Sequence, residues 1–268
     1  MNAANCNRQI IERWPVDTYL LIPSYKSACQ LKCFINSLAK FVPQKYLLVV
    51  DDASYDGTYE MCAGSGIECL RHEKNRGKGG ALKTGFAHLI TTKKARWILT
   101  MDADGQHSPS DISLFLDEVK KYPAIGICVG SRAMRLGVMP PQRILSNRLT
   151  SIIMTFFTGS RIKDSQCGYR VYSAELINSI DIEYDRFEME SEVIMKAAAE
   201  NFPVHFIPVQ TLYLKGPSHI SHLADTLRWV KAVVVLWYKI HFINKRKQRN
   251  STDEHSDTAR AAHPETQR

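Results

Sequence analysis

The sequence predicts an α/β fold, a mainly parallel sheet flanked by helices. Three observations carry that expectation. Apolar runs of strand length, rich in Val, Ile and Leu, alternate with segments of helical period from residue 18 to residue 130. Acidic, Ser- and Gly-containing turns follow two of those runs, as strand ends in such sheets require. The chain of 268 residues, 44% hydrophobic and 23% charged, can bury an ordinary core without disulfide or metal staples.

Taken in order, TYLLIP (18–23) reads as the first strand and Ser27–Phe41 as a helix. YLLVVDD (46–52) is the second strand and IECLRH (67–72) a short third, followed by a helix from about Gly79 to Thr92. RWILTMDAD (96–104) is the fourth strand. Ser108-Pro109-Ser110-Asp111 opens a helix, with a hydroxyl at the cap and proline at the first helical position. AIGICVG (124–130) is the fifth strand. Beyond Gly130 the pattern changes: 143–158 reads as an apolar helix ended by Gly159, and CGYRVYS (167–173) and VHFIPVQTLYL (204–214) as strands around a helix, Arg186–Asn201. The expected organisation is an extension (1–17), the α/β domain (18–218), an amphipathic helix (219–243) and a polar tail (244–268). That tail lacks large apolar residues and is expected to be disordered.

A formal charge of +8 favours an anionic partner: nucleic acid, phosphorylated metabolite or acidic membrane. The basic excess is spread out, its densest run, Lys245-Arg246-Lys247, lies in the tail, and no nucleic-acid module is recognisable, so no nucleic-acid partner is expected. Seven scattered cysteines without a C-x-x-C pair argue for a reducing compartment. No signal-peptide core and no spanning segment are present. Ile220, Leu223, Leu227, Val230, Val234, Trp237 and Ile240 form one helical face near Arg228, Lys231 and Lys239, the pattern of a helix lying on an anionic membrane surface. The competing expectation is that this face packs on the α/β domain. The expected location is cytoplasmic, peripheral on the cytoplasmic face of the membrane.

Three motifs carry chemistry. Val49-Val50-Asp51-Asp52-Ala53-Ser54 ends a strand in two carboxylates, where open α/β sheets bind ligands; turn chemistry alone would also use these residues. Asp102-Ala103-Asp104-Gly105-Gln106 follows another strand and offers the hard oxygen ligands that Mg²⁺ and Mn²⁺ prefer. His107 reads as a hydrogen-bonding neighbour of that set. Asn75-Arg76-Gly77-Lys78-Gly79-Gly80-Ala81 places glycines and cations where a helix begins, an anion-binding arrangement or else a basic turn. A fourth feature is the acidic segment Glu188, Glu190 and Glu192, in which 188 and 192 share a helix face; its plain reading is a solvated acidic face.

In order and spacing these segments resemble the family-2 glycosyltransferases, nearest the dolichol- and polyprenol-phosphate sugar synthase branch. The matching segments are Ile22-Pro23-Ser24-Tyr25, Val50 to Thr58, Asn75 to Ala81, Asp102 to His107, Gly130-Ser131-Arg132 and Asp164-x-x-Cys167-Gly168-Tyr169-Arg170. The resemblance implies a GT-A type, Rossmann-like fold, a UDP- or GDP-linked sugar donor and a divalent metal, Mg²⁺ or Mn²⁺. It places Pro23, Tyr25 and Asp52 at the nucleoside and Lys78 near the nucleotide. It places Asp102, Asp104 and Gln106 at the metal on the diphosphate, and Arg132, Arg143 and Arg170 at the acceptor. Cys167-Gly168-Tyr169-Arg170 stands where the branch has Ser-Gly-Phe-Arg, and Lys215 where it has Arg.

The expected reaction is inverting transfer to a lipid acceptor, a polyprenyl phosphate first. Asp104 and Arg132 serve the transfer itself. Transfer to a hydroxyl is the alternative, needing a base among Glu188, Glu190 and Asp164. A non-catalytic nucleotide- or lipid-binding protein is the alternative of another class.

Overall fold

The computed structural model describes residues 14–135, 139–211 and 228–242. The chain divides into two compact units, Met1–Ile220 and Ser221–Arg268. In the first, seven strands form one sheet: β1 (Thr18–Ser24), β2 (Leu47–Asp51), β3 (Glu68–Arg71), β4 (Trp97–Thr100), β5 (Ile127–Arg132), β6 (Arg170–Ser173) and β7 (Val204–Val209). Their order is β3-β2-β1-β4-β6-β5-β7, and β6 alone runs antiparallel to its neighbours. Leu20, Leu21, Ile22 and every residue of β2 are buried, because strands covered on both faces need continuous rather than alternating apolar runs.

Helices α1 (Ala28–Leu38), α2 (Thr58–Gly64), α3 (Lys78–Thr91), α4 (Ile112–Lys121), α5 (Pro141–Thr158), α6 (Ala174–Ser179) and α7 (Glu188–Ala199) connect the strands. α7 packs against α3 and α5. Its residues 188–195 are all buried, so the acidic segment is not the solvated face that its spacing allowed.

The element ends depart from the sequence reading for local reasons. β4 stops at Thr100 because the acidic segment turns, with Gly105 at φ 70 and the Gln106 amide donating to Asp104 Oδ1 at 3.0 Å. β5 starts at Ile127, after Gly126, where a Cβ would lie 2.5 Å from that of Phe202. α5 starts at Pro141, a first-turn position where no N–H is needed. β7 ends at Val209, and beyond it Thr211 bridges to His107; residues 212–214 of the expected strand lie outside the described residues. Trp14, assigned by sequence to the extension, is buried; its indole donates to Thr18 O at 2.8 Å and stacks on Tyr46.

In the second unit the described residues form a helix over 228–242. Residues 219–227 of the expected amphipathic helix and the tail 244–268 lie outside the described residues. Val234 and Trp237, placed by sequence on a single apolar face, are exposed, as are Val235, Tyr238 and Phe242. No helix of the described residues is long and apolar enough to cross a membrane.

Candidate active site

From β1 the chain builds outward through β2 and β3, then returns to lay β4 on the other side of β1. Ligands bind open α/β sheets beyond the strand ends at such a reversal. Ser24, Asp51–Asp52 and the Asp102–Asp104 segment lie at or just past the carboxyl ends of β1, β2 and β4. Three non-glycine residues in the loops after β1 and β2 adopt left-handed backbone: Lys26 (φ 51), Ala53 (φ 61) and Tyr55 (φ 53). Strain of this kind persists only where surroundings enforce it. Here the Lys26 amide donates to Ser54 Oγ at 2.9 Å, the Ala28 amide to Asp56 Oδ2 at 3.0 Å, and the Tyr55 hydroxyl to Glu73 O at 2.8 Å. Tyr25 is left exposed at this edge, while Pro23 is buried within β1.

Asp52 is committed to the protein itself. Its carboxylate accepts the amides of Arg76 (2.8 Å) and Gly77 (2.7 Å) and pairs with His72 Nδ1 at 2.6 Å. With its side chain 3% exposed, it acts on the site by holding the 75–77 loop. That loop is not the open row of N–H groups that its glycines suggested. Gly77 sits at φ 88, a Cβ there would lie 2.6 Å from Asp185 O, and one on Gly79 would lie 2.7 Å from the Asp185 carbonyl carbon. The Gly80 amide donates to Asp185 O at 2.9 Å. The glycines admit the 185–186 backbone, and the amides of 76, 77 and 80 are spent inside the protein.

Lys78 opens α3 and reaches the end of β4. Its Nζ lies 2.6 Å from Asp102 Oδ1 and 3.2 Å from both oxygens of Glu190. Burial disfavours its charge, but the two carboxylates outweigh that and hold its pKa above the ordinary lysine value. Burial likewise opposes charge on Asp102, yet Lys78 and His107 hold that carboxyl well below the usual carboxylate range. Gly168, just before β6, closes the cluster: a Cβ there would lie 2.6 and 2.8 Å from the Asp102 oxygens and 2.8 Å from Lys78 Nζ. The Thr100 hydroxyl, donating to Gly168 O at 3.0 Å, fixes that approach.

Asp104 reaches solvent at the rim of this cluster. Desolvation and the neighbouring Asp102 charge push its pKa up. The donor chemistry fits a hard divalent ion: carboxylates from Asp102 and Asp104 and the half-buried amide of Gln106. His107 is buried beside them, 3.5 Å from Asp102 Oδ2, and neither ring nitrogen finds a hydrogen-bond partner among the described residues. Among the described residues no three His, Cys, Asp or Glu side chains form a ready-made metal cage. Mg²⁺ and Mn²⁺ sites completed by substrate phosphates are built with one or two protein carboxylates, so the residues present suffice.

The acceptor-side expectations divide. Arg170 is fully buried and donates to the carbonyls of Cys167 (2.6 Å), Glu190 (2.7 Å) and Ser165 (3.0 Å). It cannot reach an acceptor and instead ties β6 to α7, a correction to its sequence assignment. Arg132 pairs bidentately with Asp164, Nε at 2.8 Å and Nη2 at 3.0 Å. Asp164 is buried, yet Arg132 and the Asn147 amide, at 2.7 Å, hold its pKa below the ordinary value, so it is a clamp rather than a base. Arg143 stands half-buried on the first turn of α5, with no side-chain partner among the described residues. Glu190 is bound to Lys78, and Glu192 accepts the amides of Glu183 and Tyr184 at 2.8 and 2.9 Å. Glu188, 7% exposed, makes no hydrogen bond or ion pair among the described residues. Sequence reasoning missed Asn147, whose place on the apolar-looking helix gave no signal, and the steric role of Gly168.

The model of glycosyl transferase family 2 matches residues 19–181. An uncharacterized protein of Methanocaldococcus jannaschii is 32% identical over 77% of this chain and 86% of its own length. A UDP-N-acetylglucosamine–dolichyl-phosphate N-acetylglucosaminyltransferase of Methanococcus voltae is 28% identical over 73% of this chain and 85% of its own. Glucosyl-3-phosphoglycerate synthase of Mycobacterium tuberculosis, solved with Mn²⁺, UDP and phosphoglyceric acid, superposes with a TM-score of 0.67 at 14% identity, covering 88% of this chain and 82% of that one. This likeness shows the GT-A fold.

Proposed function

The chain belongs to glycosyl transferase family 2, and from that premise we propose that it moves a sugar from a UDP- or GDP-linked donor to a lipid acceptor, a polyprenyl phosphate, with inversion at the sugar carbon. The observation that carries this reading is the cluster at the strand-order reversal: Asp102 and Asp104 beside a Lys78 locked between Asp102 and Glu190. The lipid-phosphate acceptor named for the Methanococcus relative supports the choice of acceptor. The Mn²⁺ and UDP of the mycobacterial neighbour support a divalent metal and a nucleotide donor.

Asp102, Asp104 and Gln106 would hold the metal, which would supply positive charge against that growing on the departing nucleotide diphosphate. Lys78 stays protonated and contributes a fixed positive charge on the same side. Glu190 and the Gly168 backbone keep Lys78 and Asp102 in place. Tyr25 lies at the nucleoside end, with Asp52 shaping the loop beside it. Arg132, oriented by Asp164, and Arg143 receive the acceptor phosphate. A phosphate oxygen is already ionised near neutral pH, so it attacks without a base. Glu188 favours a second reading: a nearly buried carboxylate with no hydrogen bond or ion pair among the described residues suits proton removal from a hydroxyl acceptor. A lipid acceptor places the protein peripherally on the cytoplasmic face of the membrane.

The test is transfer from radiolabelled UDP- and GDP-sugars to polyprenyl phosphate, with Mg²⁺ or Mn²⁺. Asp104→Asn is expected to keep the fold and lose nearly all transfer, since an amide is a poor ligand for a hard cation. Full activity in that variant, or in EDTA, refutes the metal assignment. If Glu188→Gln retains phosphate transfer, the base-free route stands; if it abolishes transfer to every acceptor, the hydroxyl reading replaces it.

A further inference from the structure

Helix α5 carries its polarity reversed. Four large apolar side chains climb one face at steps of three and four: Leu145 (71% exposed), Leu149 (50%), Ile152 (66%) and Phe156 (80%). Much of the face turned into the protein is polar. The Ser151 hydroxyl donates to Asn147 Oδ1 at 3.0 Å, the Ser165 hydroxyl to Thr150 Oγ1 at 2.9 Å, and Asn147 holds the clamp carboxylate Asp164. A helix facing water presents the opposite arrangement, and an exposed apolar stripe of this length marks an interaction surface.

Charge chooses the partner. α5 contains no acidic residue, and its two charges are Arg143 and Arg148. Exposed Arg135 precedes it, and exposed Arg161 and Lys163 follow it. A second copy docked face to face about a two-fold axis would bring this positive set against itself. An anionic lipid surface meets apolar stripe and cations together. The stripe is also continuous with the acceptor side of the site, since α5 bears Arg143 on its first turn and Asn147, which fixes Asp164 and through it Arg132.

We infer that α5 is the membrane-docking element of this chain: its 145–149–152–156 stripe enters the interface of an anionic bilayer and sets the acceptor cations at headgroup level. The choice of occupant rests on the lipid-acceptor reading. The surface is distinct from the helix over 228–242, which the sequence nominated for that task.

The experiment is flotation of the full chain with vesicles of phosphatidylcholine alone and of phosphatidylcholine with phosphatidylglycerol, neither containing polyprenyl phosphate. The full chain is expected to float with the anionic vesicles and less so at high salt. Leu149→Glu with Ile152→Glu is expected to lower partitioning by about a hundredfold, because two charges replace two inserted apolar groups. Leu149→Ser with Ile152→Ser is expected to lower it by about tenfold. Both pairs lie on exposed positions, and unchanged circular dichroism and melting confirm the fold. Metal-dependent hydrolysis of the sugar nucleotide in solution is expected to stay at wild-type rate. Flotation of both variants like the wild type overturns the inference. So does a wild-type dimer in sedimentation that both variants dissolve, because the stripe then serves a second copy. Because the vesicles lack acceptor, docking on them is read independently of transfer: docking here together with failure of transfer in the separate assay with polyprenyl phosphate would refute the acceptor reading and leave the docking surface standing.

Discussion

Substituting Gly168 by alanine strikes the site through a single methyl group. The added Cβ would lie 2.6 and 2.8 Å from the two Asp102 oxygens and 2.8 Å from Lys78 Nζ, where ordinary contact begins near 3.4 Å. The backbone there is restrained, because Gly168 lies two residues before β6, which is hydrogen-bonded between β4 and β5, and the Thr100 hydroxyl holds Gly168 O. The side-chain ends therefore retreat, Asp102 by about 0.8 Å, and the 2.6 Å ion pair with Lys78 is pulled apart. Displacement on the order of 1 Å at a reacting centre costs about a hundredfold in rate, equivalent to about 2.7 kcal/mol of transition-state stabilisation. The cost to folding is smaller, about 1 kcal/mol, because flexible ends rather than backbone absorb the overlap. Transfer rate, calorimetric affinity for UDP with Mn²⁺, and melting temperature are measured on one preparation. Gly64→Ala is the control: a Cβ there meets nothing within 4 Å, and the change is expected to stabilise by about 0.5 kcal/mol without touching activity. Wild-type transfer in Gly168→Ala refutes the steric reasoning, and a melting loss as large as a core truncation refutes the claim that side-chain ends absorb the strain.

Asp52→Ala removes the acceptor of two loop amides and one imidazole, so it is expected to cost about 3 kcal/mol as well as donor affinity. A melting temperature within a degree of wild type contradicts that account. Arg170→Lys leaves buried carbonyls unpaired and is expected to destabilise by about 3 kcal/mol. Arg143→Ala is expected to melt like wild type and raise the KM for the phosphate acceptor; equal melting losses in the two variants contradict the division of roles. The Asp164 carboxyl has its folded pKa below the ordinary value of about 3.9, so its stabilisation is present at neutral pH and lost as pH falls through the folded pKa. Denaturation between pH about 5 and 3 is expected to show a shallower acid loss for Asp164→Asn than for wild type, and equal slopes count against it.

The alternation of apolar runs with helical segments was enough for an α/β sheet, because a strand covered on both faces must be apolar throughout. The place of the acidic segment at 102–104, just past a strand end, was legible because strand ends and turn chemistry are local properties. Motif order identified the family, and a match over 19–181 bears that out. What the sequence left open was which charges meet. Lys78 and Glu190 are 112 positions apart, and nothing in either neighbourhood announces their contact. Helical spacing put Glu188 and Glu192 on one face and Glu190 on another, yet α7 is covered all round and all three are buried. Arg170 carried the charge expected of an acceptor ligand, but it ties β6 to α7, with no exposed surface left. In α5 the sequence holds both a polar and an apolar stripe, and periodicity does not say which one turns inward. The buried Asp164 decides that: its charge needs Arg132 and Asn147, so the polar stripe faces the protein and Leu145, Leu149, Ile152 and Phe156 face outward.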